Sequence, residues 1–271
     1  MHIIKNTSES FIGTILDLQG KSKDNFKCRH DLQEIEIRSE LHIVNNGSKE
    51  VMLPTTYMVS AEDKRKILEI LENIKVSDGF SSNIAYSINV KERKLIGLKS
   101  HDYYILLKYL FPIVIRGVLP NNVVEPVVEF AKFFSALCSK VLEKEFFLDL
   151  ECRIATTLCK LEMIFSPSFF DIMIHFPIHL ATEAKMAGLV QFRWMFPIEQ
   201  EMSFFKNLIR NRAHPEGSIA EGYIANKCLL LCSRYLQGIK IKFNYLPRNY
   251  EDDGYNQRKQ ISIFNHSGRS L

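Results

Sequence analysis

The stretch Ser60-Ala61-Glu62-Asp63-Lys64-Arg65-Lys66-Ile67-Leu68-Glu69-Ile70-Leu71-Glu72-Asn73-Ile74 decides the fold class. It opens with a hydroxyl side chain and has an acid three residues later, the arrangement that satisfies the free N–H groups of a first helical turn. Ile67, Leu68, Ile70, Leu71 and Ile74 then fall on one stripe of a 3.6-residue period, with charges between them. The spacing predicts an amphipathic helix. The same period recurs over most of the chain, so the fold class reads as mainly α, with few or no strands.

Toward the N-terminus the pattern predicts a helix over 8–18, with Phe11, Ile12, Ile15 and Leu16 on one face, and another over 24–41 carrying Leu32, Ile35 and Ile37. Asn45-Asn46-Gly47-Ser48 interrupts the period and reads as a loop. Beyond the decisive helix, Ser81-Ser82-Asn83 is turn-like, and Ile84, Tyr86, Ile88 and Val90 alternate as in a short strand or extended arm. From Ser100 onward the period predicts helical blocks at 100–117, 122–144, 147–164, 168–185, 197–212 and 218–237. Pro112, Pro126 and Pro177 fall inside these blocks, and each predicts a kink or break because proline lacks an N–H and crowds the preceding turn. After Pro247 the sequence loses all periodicity and reads as disordered. These shifts divide the chain into a helical segment with an extended arm (1–95), a main helical domain (96–238) and an irregular tail (239–271).

With 271 residues, 46% of them hydrophobic, the chain has material for one large or two small cores, which excludes disorder, collagen and coiled coil as descriptions of the whole. The excess of 35 Lys and Arg over 31 Asp and Glu gives +4, too mild to announce a nucleic-acid binder by itself. A basic surface therefore needs clustering. Candidates are Lys64-Arg65-Lys66, then Lys91, Arg93, Lys94 and Lys99, and then Lys240, Lys242 and Arg248 near Phe243 and Tyr245. Glu199 and Glu201 follow Pro197, and the segment continues into Lys206, Arg210 and Arg212. Acids early and bases late also complement a helix dipole, which is the ordinary reading of this segment. Pro215-Glu216-Gly217-Ser218-Ile219-Ala220-Glu221 reads in the same way as a turn followed by a capped helix.

Six cysteines without a C-x-x-C pair argue against a disulfide framework and for a reducing compartment. The longest apolar run, Tyr103 to Leu119, is interrupted by Lys108, Pro112 and Arg116, so no membrane span is expected. Met1 to Leu18 lacks the pattern of a secretory signal, and the protein reads as intracellular. No glycine-rich phosphate loop and no G-x-S-x-G nucleophile elbow occurs. His175, His179 and Glu183 recur every four residues, which on a helix stacks two imidazoles and a carboxylate as candidate metal ligands. Pro177 lies between the histidines, and the adjacent Glu of H-E-x-x-H is missing, so buried and hydrogen-bonded histidines are the ordinary alternative.

Several segments carry a family resemblance in order along residues 1 to 250: Met1-His2-Ile3-Ile4-Lys5-Asn6, Gly13-Thr14-Ile15-Leu16-Asp17, Asp31-Leu32-Gln33-Glu34, Gly97-Leu98-Lys99-Ser100-His101-Asp102 and Ile115-Arg116-Gly117-Val118-Leu119-Pro120. Further on come Leu158-Cys159-Lys160-Leu161-Glu162-Met163-Ile164-Phe165, Arg193-Trp194-Met195 and Pro215-Glu216-Gly217-Ser218-Ile219-Ala220-Glu221-Gly222-Tyr223. Together they resemble the C-terminal half of plant CACTA (En/Spm-type) transposases, including a plant domain of unknown function found within them.

The resemblance implies a helical, bundle-like insertion over most of residues 1 to 190, followed by the last helix of a ribonuclease H-like transposase core. In such cores acidic residues hold two divalent ions that activate water and stabilise the leaving oxygen. The resemblance matches Glu199 to the third acidic residue and places the second just before the stretch matched by Met1-His2. The expectation is a transposon-derived C-terminal fragment, catalytically incomplete alone, with no certain cofactor and with Mg2+ or Mn2+ relevant only within a complete core. Gln200, Tyr104 and Ile4 stand where the family usually has Arg, His and Glu, which implies relaxed constraint on catalysis. Implied partners are transposon-end DNA or a full-length transposase, in the nucleus and not at a membrane; the oligomeric state stays open. The candidate DNA contacts are Lys91, Arg93, Lys94, Lys99, Lys206, Arg210 and Arg212. Two alternatives remain: a helical interaction module without nucleic-acid affinity, and a metal-binding protein acting through His175, His179 and Glu183.

Overall fold

Helix α1 (His2–Ile15) is enclosed on most of its circumference, and the later helices are laid around it. The computed structural model describes residues 1–47, 49–76, 83–143, 146–233, 235 and 261–262. The helix begins well before Ser8, where its apolar stripe predicts it, because buried polar residues conceal its first turns. Thr7 Oγ1 donates to the Ile3 and Ile4 carbonyls at 2.8 and 3.0 Å, and Ser8 Oγ donates to the Ile4 carbonyl at 2.5 Å. Both hydroxyls are satisfied within the helix and can be buried without penalty.

Gly13 lets α1 approach the chain that turns back beneath it. A Cβ built on Gly13 would lie 2.6 Å from the Lys21 carbonyl oxygen, a backbone atom that cannot swing away. Gly13→Ala is therefore expected to lower stability by about 1–3 kcal/mol despite its better helix propensity, as read by urea denaturation. An unchanged or raised midpoint would contradict that close approach.

Helix α2 (Phe26–Glu34), capped by the Asn25 side chain, stops short of the predicted Leu41. Glu36 and Arg38 take positive φ (58° and 51°), which ends the helix, and Ser39–Leu41 forms a single 3-10 turn. The expected loop at Asn45–Ser48 is instead built into a hairpin of β1 (Ile43–Asn46) and β2 (Lys49–Met52), with Asn46 opposite Lys49 and Gly47 at φ 69°. Gly47, directly after the paired strand residue Asn46, supplies the positive φ that a tight hairpin turn demands, so the polar run belongs to a sheet rather than to an irregular connection. Ser48 lies outside the described residues.

The decisive stretch folds as the predicted helix, except that Ile70 of its stripe is exposed and Ile74 falls in the strand that follows. In α3 (Ala61–Asn73) the Ser60 hydroxyl accepts from the Asp63 N–H at 3.1 Å, and Ile67, Leu68 and Leu71 are buried. The next residues, β3 (Ile74–Lys75), pair in parallel with two residues of the expected tail, Ile261–Ser262; the rest of that tail after Tyr235 lies outside the described residues, as does the turn at 77–82. The predicted extended arm is a 3-10 turn (Ile84–Ser87) followed by the small hairpin of β4 (Ile88–Asn89) and β5 (Lys94–Leu95), packed on α3.

Three prolines have three outcomes. In the run α4 (Ser100–Ile105), a π turn (Leu106–Leu110) and α5 (Phe111–Val114), the helix widens just ahead of Pro112, which then occupies a helix-start position where no N–H is needed. Helix α6 (Asn121–Leu137) continues through Pro126 without the predicted break, held by buried Val123, Val127, Phe130 and Phe134. Helix α7 (Phe146–Glu162) packs on α6, and α8 (Ile172–His175) is separated from α9 (Pro177–Ala187) at Pro177, as expected. Helices α10 (Phe196–Leu208) and α11 (Pro215–Ser233) pack on each other; the last has no buried residue among those described.

The fold is mainly α, and among the described residues its strands are confined to short two-stranded pairings. One hydrophobic cluster draws on residues from Ile4 in α1 to Phe196 in α10, with Phe11, Phe130, Phe134, Phe165 and Phe169 at its centre. Among the described residues no helix is long and apolar enough to cross a membrane.

Candidate functional site

The start of α10 packs against α4 beside the π turn. Trp194 and Phe196, which lead into α10, form an aromatic wall with Tyr104 of α4. The ring centroids of Tyr104 and Trp194 are 5.8 Å apart and nearly perpendicular, and those of Trp194 and Phe196 are 5.2 Å apart. His101 packs edge-on against Phe196 at 5.3 Å, and burial pushes its pKa down against the opposing pull of Asp102. At the wall's edge the π turn presents Lys108, whose ammonium donates to the Tyr104 hydroxyl at 3.0 Å and lies 4.8 Å from the Tyr109 ring centroid. Burial works to lower the Lys108 pKa, but the Tyr104 and Tyr109 hydroxyls outweigh it and the net shift is upward. This ammonium stays charged at neutral pH.

Cys138, at the end of α6, is buried nearby, and burial pushes its thiol up to about 11 against the pull of Lys108 and the Met1 amine. The Met1 amine is lowered by burial, with Cys138 and the Glu199 carboxylate acting in the opposite sense. Glu199 therefore lies within electrostatic reach of Met1, the residue that precedes α1. Glu199 is itself exposed in the first turn of α10, where its N–H donates to the Met195 carbonyl at 2.8 Å. The arrangement sets the Lys108 ammonium at the edge of an aromatic wall, with the Glu199 carboxylate and the Met1 amine nearby.

Of the other candidate residues, Lys91, Arg93 and Lys94 belong to the β4–β5 hairpin, with Arg93 and Lys94 exposed and Arg93 at φ 53°. Lys94 pairs with Glu92 at 3.3 Å. Because this hairpin packs on α3, it adds Lys64 to the group: burial lowers the Lys64 pKa, Asp17 opposes that shift, and Arg93 lowers it further. Lys64 is held in place by donating to the Asp17 carbonyl at 2.9 Å. Lys64 and Arg93, from two basic clusters distant in sequence, are thus within electrostatic reach of each other. The other two cations of the α3 cluster are neutralised locally, Arg65 by Glu69 at 3.7 Å and Lys66 by Glu62 at 2.9 Å.

Lys99 stands at the start of α4, where its N–H donates to the Asp102 carboxylate at 2.8 Å. Lys206, Arg210 and Arg212 are exposed on another element, the end of α10 and the turn into α11. Lys240, Lys242 and Arg248, with Phe243 and Tyr245, lie outside the described residues.

His175 and His179 are brought together, with their Nε2 atoms 3.2 Å apart. Phe176 keeps helical angles (φ −51°, ψ −34°) across the junction, so Pro177 separates α8 from α9 without destroying the one-turn stacking. Both histidines are exposed, which corrects the expectation of a buried pair. Glu183 does not complete a triad: among the described residues no group of three or more His, Cys, Asp or Glu is placed to hold a metal ion.

Sequence reasoning missed Lys108 and Cys138. The available signal was a single cation in an apolar run with tyrosines four residues before and one after it. Residues 137–250, less than half of the chain, match the family described as Domain of unknown function (DUF4218), a domain found in plant transposase-like proteins. The match takes in α7 to α11, and with them the histidine pair, Glu199 and the Lys206–Arg212 segment. No curated protein and no solved structure matches the chain.

Proposed function

We propose that the chain is part of a CACTA-type DNA transposase, comprising a helical insertion and the last helix of a ribonuclease H-like core, and that it binds DNA in the nucleus without cutting it alone. The observation that carries this reading is the ordered resemblance along the chain together with the electrostatic proximity of Glu199, in α10, to Met1, the residue before α1. The resemblance implies that an acidic position before the stretch matched by Met1-His2 shares one site with Glu199, and the Glu199 carboxylate acts electrostatically on Met1, as such a site requires. The match to a domain of transposase-like proteins over residues 137–250 supports the same reading.

The described residues do not by themselves fit a Mg2+ or Mn2+ pair, since no group of three or more potential ligands is assembled among them. No cleavage step is therefore assigned to this chain. Its contribution is contact with phosphate through Lys64, Lys91, Arg93 and Lys94, with Lys206, Arg210 and Arg212 as a second basic segment. Supercoiled plasmid incubated with the purified chain and Mg2+ is expected to stay intact, and nicking that Glu199→Gln abolishes would overturn the non-cutting role. The double variant Arg93→Ala, Lys94→Ala is expected to reduce the salt slope of DNA binding by about 2, one for each phosphate contact removed.

A second reading, a helical interaction module, is favoured by the exposed apolar residues Ile224, Leu229 and Leu231 on α11. It predicts no salt-sensitive DNA binding at all.

A further inference from the structure

We propose that His175 and His179 form a two-imidazole binding site for a divalent transition metal of the zinc class. Their Nε2 atoms are 3.2 Å apart on an exposed helical face, with ring centroids separated by 5.1 Å and planes inclined at 68°. At a Zn–N distance of about 2.0–2.1 Å, that separation corresponds to an N–metal–N angle of about 100°, close to the tetrahedral value that zinc prefers. The nitrogens are already at the spacing that a bridging ion requires.

The surroundings hold the pair in place and leave its ring nitrogens available. Asp171, at the start of α8, accepts from the Met173 and Ile174 N–H groups and pairs with Lys23 at 2.8 Å, so it fixes the first turn. Buried Ile174 anchors the turn that carries His175. Beyond the junction, buried Pro177, Ala181 and Ala184 anchor α9, and Thr182 donates to Glu151 of α7. The two imidazoles are therefore mounted on packed backbone, which lowers the ordering cost of chelation.

Without metal, one Nε2–H donates to the other Nε2. Metal binding moves that proton to Nδ1 of the same neutral ring, so both Nε2 lone pairs face the ion and no proton is lost. Because no third His, Cys, Asp or Glu is gathered among the described residues, the remaining coordination positions belong to water or to an external donor. The site is an open one.

The test is zinc titration of the purified chain against a chromophoric chelator, compared with His175→Ala and His179→Ala. Cysteines are common to all three proteins, so the difference between titrations isolates the histidine pair. Each variant is expected to weaken one equivalent of zinc at least about tenfold, with the circular dichroism spectrum unchanged because both side chains are exposed. Equal zinc stoichiometry and affinity in the wild type and either variant would overturn the proposal.

Discussion

Asp24→Ala is expected to destabilise the fold by about 3–5 kcal/mol, the cost of leaving a buried guanidinium without its partner. Arg29 and Asp24 are both fully buried at their side chains. Arg29 Nε and Nη2 donate to the two Asp24 carboxylate oxygens at 2.8 Å each, and Nη1 donates to the Leu53 carbonyl at 2.8 Å. Tyr57 completes the network by donating its hydroxyl to Asp24 Oδ2 at 2.7 Å. Burial, and then the neighbouring Asp24 carboxylate, push the Tyr57 pKa upward, so the phenol remains a neutral donor. The network ties the turn after α1 to α2 and to the segment leading into α3. Removing the carboxylate leaves the guanidinium fork and the Tyr57 hydroxyl unsatisfied together. Urea denaturation gives the loss directly, and a decrease below about 1 kcal/mol would show that water reaches the cluster.

Phe11→Ala is the second large effect, with an expected loss of about 3–5 kcal/mol. Phe11 has no exposed surface, and its ring centroid lies 4.8 Å from that of Phe130, 4.9 Å from Phe169 and 5.9 Å from Phe165. Truncation opens a void between α1, α6 and the 3-10 turn at Pro167–Phe169, which rigid backbone can only partly close. Phe165 also contacts Tyr57 at 4.8 Å, so the aromatic cluster touches the Asp24 network. The double variant Phe11→Ala, Asp24→Ala is accordingly expected to depart from additivity. Chemical denaturation of the single variant measures the first effect, and a near-neutral result would remove Phe11 from the centre of the core.

The helix over Ala61–Asn73 was legible because cap, acid and apolar stripe all agree locally. The early start of α1 was hidden by Thr7 and Ser8, polar residues whose hydroxyls are satisfied by their own helix and which therefore do not mark a surface. The β1–β2 hairpin was hidden because four-residue strands carry too few alternations to outweigh the polar run at Asn45–Ser48. At the candidate site, four-residue spacing correctly brought His175 and His179 together, but spacing carries no information on burial, and the pair proved exposed. The convergence of Lys64 with Arg93, and of Met1 with Glu199, depends on tertiary packing between segments far apart in sequence. Local pattern cannot report either proximity. The Asp24–Arg29–Tyr57 network escaped for a related reason: ionisable residues in a polar stretch look solvated until the chain folds over them.

The measurement that tests the DNA-contacting role most directly is the affinity of the purified chain for a fluorescent DNA duplex across a series of salt concentrations. Each neutralised phosphate contributes a slope of about 0.9 in log affinity against log salt. A linear fall with salt is expected, with a shallower slope in Arg93→Ala, Lys94→Ala. Absence of binding at low salt, or binding that does not change with salt, would contradict that role.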